Sequence, residues 1–299
     1  MIECTYTDHE IERDHATLAS ASEHLRRLGR RDLLLTCHRV EAYDTTVNDF
    51  PLRDSGLQLE KIVGTDAAFD RLARIAAGTK SQIIGEWPIR NQVYDFVGGL
   101  PEGRTKDLGE AALQVADSVR SEENFYSPDH ATIALQVLQK EAHARLLVVF
   151  GAGMLGQNLV RTHKQLGFDS ALLITRNKKK ARRKLRGVEG CHVQNIDRPK
   201  MFLPKDSCHV VVASTHLAEP YLSTVRTMVG LLNCGPIVDV CGESIFFDED
   251  GHISLEGPTM RDFIQRFNSQ MEAKRKSVEA KIALAKNETV RSLENKWKF

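Results

Sequence analysis

LLVVFGAGMLG, which spans residues 146–156, decides the fold of the second half of this chain. Its five leading apolar residues predict a strand that is buried on both faces of a sheet. The glycines follow in the pattern GxGxxG, and an amphipathic helical pattern continues to Leu166. A strand, a glycine-rich turn and a helix in this order are typical of a Rossmann unit that binds a dinucleotide.

Each glycine of the motif has its own role in binding a dinucleotide. Gly151 permits the tight turn, Gly153 lets the backbone approach the pyrophosphate, and Gly156 permits close packing of the helix. The helix N-terminus offers unpaired N–H groups and a positive dipole end to the phosphates. The cofactor-binding residues predicted in this loop are Gly151, Ala152, Gly153, Met154, Leu155 and Gly156.

The end of the next predicted strand favours NADP over NAD. NAD-specific sites usually place Asp or Glu there, to hold the ribose 2′-hydroxyl. This chain instead has Thr175-Arg176-Asn177 at that point. A guanidinium suits a 2′-phosphate, so we expect Arg176 to bind it and the cofactor to be NADPH.

Composition and charge argue against several classes of protein. The net charge is +1, with 41% hydrophobic and 27% charged residues, as in an average globular protein. No apolar run approaches the ~18–20 residues of a membrane span, and the polar N-terminus does not resemble a signal peptide. The six cysteines form no CxxC pair, so we expect reduced thiols in a cytoplasmic protein, with no metal site and no membrane partner.

Cys37 is the candidate nucleophile of the first half. It follows the apolar run Leu33–Leu35, which predicts a buried strand, and it is flanked by His38 and Arg39. Cationic neighbours lower the pKa of a thiol and favour the reactive thiolate. A cysteine at the end of an apolar run is also a common core residue, so spacing alone leaves both interpretations open.

Four blocks of the chain, in the right order, resemble glutamyl-tRNA reductases. Residues 35–43, LTCHRVEAY, resemble the family's (S/T)CNRTExY signature. Residues 75–93 resemble its VAAGLDSxxxGExxIxxQV block at the same spacing. Residues 118–122 resemble its VRTET segment, and residues 175–177 resemble its NRT segment beyond the Rossmann motif. The resemblance covers roughly residues 30 to 240.

The resemblance implies a reaction in two steps. The Cys37 thiolate attacks the ester carbonyl of glutamyl-tRNA, and NADPH reduces the resulting thioester to glutamate-1-semialdehyde, the precursor of 5-aminolevulinate and tetrapyrroles. Cys37 is then catalytic, and Arg39 pairs with the substrate carboxylate. The residues that the resemblance assigns to the glutamyl group are Thr36, His38, Arg39, Ser81, Glu86 and Gln92. For Glu86, a helix N-terminal charge is an equal alternative.

Arg71 is the main departure from the family pattern. It stands where the family has a histidine that assists catalysis, and arginine cannot act as a base at neutral pH. The histidine is dispensable, or another group such as His38 replaces it, or the chemistry is impaired. Lys80 and Asn91 are further departures within the second block.

Together these patterns predict an α/β chain in three parts. A helix-rich α+β N-terminal catalytic domain is followed by a Rossmann-type doubly wound parallel sheet domain and a C-terminal long helix. The predicted boundaries are 1–143, 144–256 and 257–299. Helical patterns in the first part cover residues 16–28, 66–77, 89–97, 109–120 and 128–144, with loops at 48–56 and 101–109.

Several partners and functions follow from the resemblance. About 40 residues follow Gly257, so we expect a shortened member of the family that dimerises through its C-terminal helix. Glutamate-1-semialdehyde aminomutase is a further expected partner. Two alternatives stay open: a homologue that reduces another aminoacyl-tRNA or acyl thioester, and a non-catalytic regulator that binds tRNA or NADPH. The basic run at residues 178–186 either meets tRNA phosphates or is a solvated helix face, and its lack of aromatics favours the second.

Overall fold

The chain divides into two compact units, one of Met1–Pro128 with Phe267–Phe299 and one of Asp129–Arg266. They are called unit 1 and unit 2. The computed structural model describes residues 2–8, 15–27, 32–36, 39–45, 59–141, 144–197, 208–213, 219–232, 234–241, 245–246, 251–255 and 257–298. Cys37, His38 and the predicted loop at 48–56 lie outside these ranges. The division into three domains stays a prediction.

Unit 1 is built on a four-stranded antiparallel sheet in the order β2-β3-β1-β4. The strands are β1 (Glu3–Asp8), β2 (Leu33–Thr36), β3 (Arg39–Asp44) and β4 (Glu60–Val63). The helices are α1 (His15–Arg27), α2 (Thr65–Ala77), α3 (Pro88–Gly99), α4 (Arg104–Glu122) and the later part of the C-terminal helix.

Strand β3 shows how the sheet separates two environments, because successive side chains of a strand point to opposite faces. Val40 and Ala42 pack with Leu25 of α1 on one face. Tyr43 lies on the other face, within the core that includes α2, α3 and α4. Arg39 and Glu41 alternate with Val40 and Ala42, so they share the face of Tyr43.

Two local predictions for unit 1 are wrong. Strand β2 is predicted to be buried, but it lies at the edge of the sheet and Leu35 is 41% exposed. The loop predicted through Gly109 ends earlier, since α4 begins at Arg104. Gly109 lies inside that helix, where a Cβ would be 2.6 Å from Cγ2 of Val97. This glycine therefore permits close approach of α4 to α3.

Unit 2 contains a six-stranded parallel sheet in the order β10-β9-β8-β5-β6-β7. The strands are β5 (Leu146–Phe150), β6 (Ser170–Thr175), β7 (Cys191–Asn195), β8 (Cys208–Val212), β9 (Cys234–Asp239) and β10 (Ile253–Ser254). The first strand of this sheet, β5, lies in the middle, and the strand order reverses beside it. This is the doubly wound Rossmann order, and it confirms the predicted fold class.

The helices of unit 2 are α5 (His130–Glu141), α6 (Met154–Thr162), α7 (Lys178–Lys184) and α8 (Tyr221–Gly230). Helix α5 begins later than predicted, because Asp129 caps it. The Asp129 carboxylate accepts the backbone N–H of Thr132 at 2.9 Å, which leaves Pro128 before the first turn. Helix α6 ends at Thr162, before the predicted Leu166, and a turn leads to Gly167 at φ 91°.

The C-terminal helix α9 (Pro258–Lys296) is as long as predicted. Four of its buried apolar residues join the core of unit 1; they are Val278, Ile282, Val290 and Leu293. The polar pattern of this helix predicts a partner subunit or a bridge between domains. The helix passes from unit 2 into unit 1 between Arg266 and Phe267, which agrees with the second alternative. In the described ranges, no helix combines the length and the apolar character that crossing a membrane requires.

Candidate active site

A buried charged cluster lies on the inner face of β3. The carboxylate of Glu41 accepts a hydrogen bond from Arg71 Nη2 at 2.7 Å and another from the hydroxyl of Tyr43 at 2.7 Å. Arg39 Nη1 lies 3.8 Å from the same carboxylate. The Arg71 guanidinium also lies over the ring of Tyr6, 3.2 Å from its centroid, in a cation–π arrangement. The charge of Arg71 is therefore engaged by neighbours within unit 1.

Burial and neighbouring charges shift the pKa values of three groups of the cluster, Arg71, Cys4 and Tyr43. Burial works against the charge of Arg71, but the Glu41 carboxylate outweighs it and raises the pKa of that guanidinium. Burial, with the nearby Glu41 charge, raises the pKa of the Cys4 thiol well above its usual value. Burial likewise raises the pKa of Tyr43. Cys4 and Tyr43 thus stay neutral, and the Arg71 guanidinium stays charged, throughout the physiological range.

Arg39 differs from Arg71 because much of its hydrogen-bonding capacity is unused. It is 1% exposed, and its Nη2 donates to the backbone carbonyl of Lys80. Its Nε and Nη1 atoms make no hydrogen bond, and neither does the buried hydroxyl of Ser81, the residue after Lys80. Buried donors without partners are costly in a native protein. Their presence on adjoining segments is typical of a site that awaits a polar ligand.

The loop that carries Ser81 is held in place by the rest of unit 1. Gly78 and Gly85 lie at φ 83° and 82°, and a Cβ on Gly78 would be 3.0 Å from Cα of Gly85. Arg120 of α4 donates to the carbonyl of Ala76 at 3.1 Å and to that of Gly85 at 3.2 Å. Asn268 of α9 fixes the middle of the loop by accepting the backbone N–H of Ile84 at 2.9 Å. Two helices thus hold this loop.

The remaining predicted substrate residues lie on neighbouring segments of unit 1. Thr36 and Arg39 are register partners in β2 and β3, and Cys37 and His38 connect them in the chain. Cys37 and His38 themselves lie outside the described residues. Glu86 closes the loop after Ser81, and Gln92 lies in α3, the helix that packs on β2. Both side chains are half-buried.

The predicted cofactor loop has the close contacts that a dinucleotide site requires. Gly151 lies at φ 109°, and a Cβ on Gly156 would be 2.0 Å from the carbonyl oxygen of Gly151. At Gly153, which precedes the first turn of α6, a Cβ would meet nothing within 4 Å. The turn is therefore closed on the protein side at Gly156 and open on the outside at Gly153, where phosphates could approach the backbone.

Arg176 is exposed and directly follows Thr175, the last residue of β6. Its guanidinium carbon lies 5.0 Å from the ring centroid of Tyr221, the first residue of α8. Asn177 caps α7, because its side chain accepts the N–H of Lys180 at 2.9 Å. The turn thus directs Asn177 to the helix and leaves Arg176 available to a ligand.

Two buried acids of unit 2 escape prediction from the sequence. Asp239, at the end of β9, accepts the backbone N–H groups of Cys241 at 3.0 Å and Phe246 at 2.9 Å, so it shapes the chain beyond that strand. Asp129 caps α5, and burial raises its pKa. The neighbouring His130 is buried too, which lowers its pKa to about 4. No spacing rule in the sequence indicates these environments, since each depends on burial.

Comparisons with known proteins find similar chains in several organisms. No family model matches the chain. Protein nfe2 of Rhizobium meliloti is 27% identical over 293 residues, which are 90% of this chain and 93% of that protein. Glutamyl-tRNA reductase 1 of Pyrobaculum arsenaticum is 33% identical over 166 residues, 50% of this chain and 42% of the relative. The glutamyl-tRNA reductase of Methanopyrus kandleri shares the fold, with a TM-score of 0.52, 19% identity and coverage of 99% of this chain and 80% of that one.

Over 50% and 64% of its length this chain is similar to two glutamyl-tRNA reductases, at 30% and 26% identity. The resemblance found in the sequence blocks is thereby confirmed. The chain spans 40%, 52% and 50% of the length of three of the reductases that it matches. At 19% identity the structural likeness shows the shared fold alone.

Proposed function

We propose that this chain is an NADPH-dependent glutamyl-tRNA reductase, which forms glutamate-1-semialdehyde through a thioester on Cys37. The Cys37 thiolate attacks the carbonyl carbon of the glutamyl ester and a C–S bond forms. The C–O bond to the tRNA ribose then breaks, and the ribose hydroxyl leaves with a proton. NADPH, when bound, would supply the hydride for the thioester carbon; the C–S bond then breaks, which releases the semialdehyde and returns the Cys37 thiolate. A thioester accepts hydride where a carboxylate does not, so covalent capture splits a difficult step into two.

The buried, partly unpaired guanidinium of Arg39 carries this proposal. Arg39 lies two residues after Cys37 in the chain, and its Nε and Nη1 atoms make no hydrogen bond. A carboxylate is the natural ligand for such a fork of N–H donors, and a glutamyl group brings one. The hydroxyl of Ser81 also lacks a partner, next to the residue whose carbonyl Arg39 holds. Thr36, His38, Glu86 and Gln92 complete the proposed substrate site.

The residues of unit 2 fit a dinucleotide with a 2′-phosphate. The close contact between Gly151 and Gly156 and the open surface at Gly153 suit a pyrophosphate beside the start of α6. Ala152, Met154 and Leu155 complete that loop. Arg176 is exposed where NAD-specific sites carry a carboxylate, so it is proposed to hold the 2′-phosphate. A homodimer through α9 and an aminomutase that receives the semialdehyde are further proposed partners.

The test measures semialdehyde formed from glutamyl-tRNA and NADPH. Wild-type protein should form it, and Cys37→Ser should not. Arg39→Lys keeps the charge but loses the fork, so we expect KM to rise at least tenfold, since a charged hydrogen bond contributes about 1.5–3 kcal/mol. Arg26→Lys, at an exposed position of α1, is the matched control and should match wild type. The proposal would be overturned if the wild-type protein binds NADPH but forms no semialdehyde.

The ion pair of Arg71 favours a second candidate, a non-catalytic homologue that binds tRNA or NADPH as a regulator. Arg71 stands at the position of the family histidine, and its Nη2 forms an ion pair with the Glu41 carboxylate at 2.7 Å. No base is available at that position. The two candidates differ in one observable, because a regulator binds glutamyl-tRNA and releases it unchanged. Comparison of several aminoacyl-tRNAs in the same assay tests the remaining alternative, a reductase for another acyl group.

A further inference from the structure

Helix α7 carries a dense positive charge that the proposed reaction does not use. The α7 basic surface is defined here by seven residues: Lys178, Lys179, Lys180, Arg182, Arg183, Lys184 and Arg186. With Arg176 they give residues 176–188 a charge of +8, and this stretch has no acidic residue. Since the whole chain has a net charge of +1, the other residues together carry −7. The charge of this protein is therefore strongly segregated.

The basic side chains point away from the protein. Ala181 and Leu185 anchor the helix, at 2% and 5% exposure, whereas the basic residues are exposed except for a half-buried Lys178. Among the described residues, no ion pair joins the α7 basic surface to a carboxylate. Glu189, the next acidic residue along the chain, is paired with Lys164 at 2.9 Å. The surface thus presents unpaired cations to the outside.

These charges weaken the helix that carries them. Like charges four residues apart repel, as in the pairs 178/182, 179/183 and 180/184. Lysines also fill the first turn, next to the positive end of the helix dipole. Nothing in the described part of unit 2 uses the charges to hold the fold together. Because the helix keeps these repelling charges although they destabilise it, we expect a ligand that neutralises them.

We infer that the α7 basic surface binds the phosphate backbone of an RNA. A polyanion neutralises closely spaced lysines and arginines and releases its own counterions. A lipid surface fits less well, because membrane-surface helices also expose apolar anchors and the apolar residues of α7 are buried. The choice of RNA among polyanions rests on the function proposed above. No aromatic residue interrupts the surface, so it contacts backbone and selects no sequence.

The test uses a charge-matched pair of quadruple variants. The surface variant is Lys179→Gln, Arg182→Gln, Arg183→Gln and Arg186→Gln. The control variant removes the same charge from exposed positions of α9: Arg261→Gln, Arg266→Gln, Lys276→Gln and Arg291→Gln. Dissociation constants for deacylated tRNA are measured by fluorescence anisotropy at low and at moderate salt, without NADPH or amino acid.

The surface variant should bind tRNA at least tenfold more weakly than wild type at the lowest salt. Its slope of log K against log salt should become shallower by about three, because each neutralised phosphate contributes about 0.7–0.9 to that slope. The control variant should stay within about threefold of wild type. The melting temperature of the surface variant should be no lower than that of wild type, because the substitutions remove repelling pairs. Weaker tRNA binding by this variant could then not be explained by unfolding.

Four results would overturn the inference. These are a wild type that does not bind tRNA, equal losses in both variants, binding to phosphatidylserine vesicles in place of tRNA, and a surface variant that loses NADPH affinity but keeps tRNA affinity. Because deacylated tRNA cannot react, failure of the semialdehyde assay leaves this binding result intact. Failure of RNA binding likewise leaves the proposed chemistry to its own test.

Discussion

Replacing Arg71 with methionine removes the guanidinium that lies 2.7 Å from the fully buried carboxylate of Glu41. Loss of one partner of a buried ion pair costs about 3–5 kcal/mol, because the other charge stays buried without compensation. The Tyr43 hydroxyl and the Arg39 guanidinium at 3.8 Å remain near Glu41. We therefore expect a loss near the lower end, about 3 kcal/mol in the free energy of unfolding.

Urea unfolding, followed by circular dichroism, measures this loss, and a double-mutant cycle with Glu41→Gln assigns it to the pair. The double variant should cost less than the sum of the single variants, by about 0.5–3 kcal/mol. Arg27→Met is the matched control, because Arg27 pairs with Glu23 at the surface, where the two side chains are 74% and 66% exposed. Such a pair contributes about 0–1 kcal/mol.

A loss below about 1 kcal/mol for Arg71→Met would mean that the pair contributes no more than a surface ion pair, and the expected stabilisation would be wrong. Additive costs in the double-mutant cycle would refute it as well, because they would show that Arg71 and Glu41 do not stabilise each other. Either result would reopen a direct role for Arg71 in the chemistry.

Four further outcomes follow from single residues. Gly156→Ala should unfold the turn or abolish NADPH binding, because its Cβ would lie 2.0 Å from the Gly151 oxygen. Gly153→Ala, with nothing within 4 Å, should keep wild-type melting while it weakens NADPH binding in fluorescence titrations. Burial lowers the pKa of His130 from its ordinary value of 6.5 to about 4. Between these two pH values the unfolded chain binds more protons than the folded chain, so the free energy of unfolding falls as the pH falls from 6.5 to about 4. His130→Gln should remove up to about 3 kcal/mol of that pH dependence, as unfolding at neutral and at acidic pH would reveal. Asp239→Asn should lower the melting temperature, since its carboxylate accepts backbone N–H groups from Cys241 and Phe246.

Features set by neighbouring residues were predictable from the sequence. The strand and glycine loop at residues 146–156 appear as expected, because the motif encodes its own turn and helix start. Helix α2 and helix α9 begin within two residues of their predicted starts, at Thr65 and Pro258, since both carry a sustained helical pattern. Strands β1 and β4 were missed, because they are short and mix polar with apolar residues.

Pairings between distant residues could not be predicted in the same way. The Glu41–Arg71 pair joins residues 30 positions apart, and only the packing of α2 on the sheet brings them together. The unpaired atoms of Arg39 depend on the same packing and on the loop that carries Lys80. The resemblance of the sequence blocks indicated Arg39 and Ser81 as site residues. That their buried polar atoms lack hydrogen-bond partners is visible only in the folded structure.

Trapping the proposed thioester on Cys37 distinguishes a reductase from a protein that only binds glutamyl-tRNA. Protein is mixed with radiolabelled glutamyl-tRNA without NADPH, quenched in acid, and digested for mass spectrometry of the peptide that contains Cys37. The proposal predicts a glutamyl adduct on Cys37 in wild type, none in Cys37→Ser, and release of the label as semialdehyde when NADPH is added. Wild-type protein that binds glutamyl-tRNA but carries no label on Cys37 would contradict it.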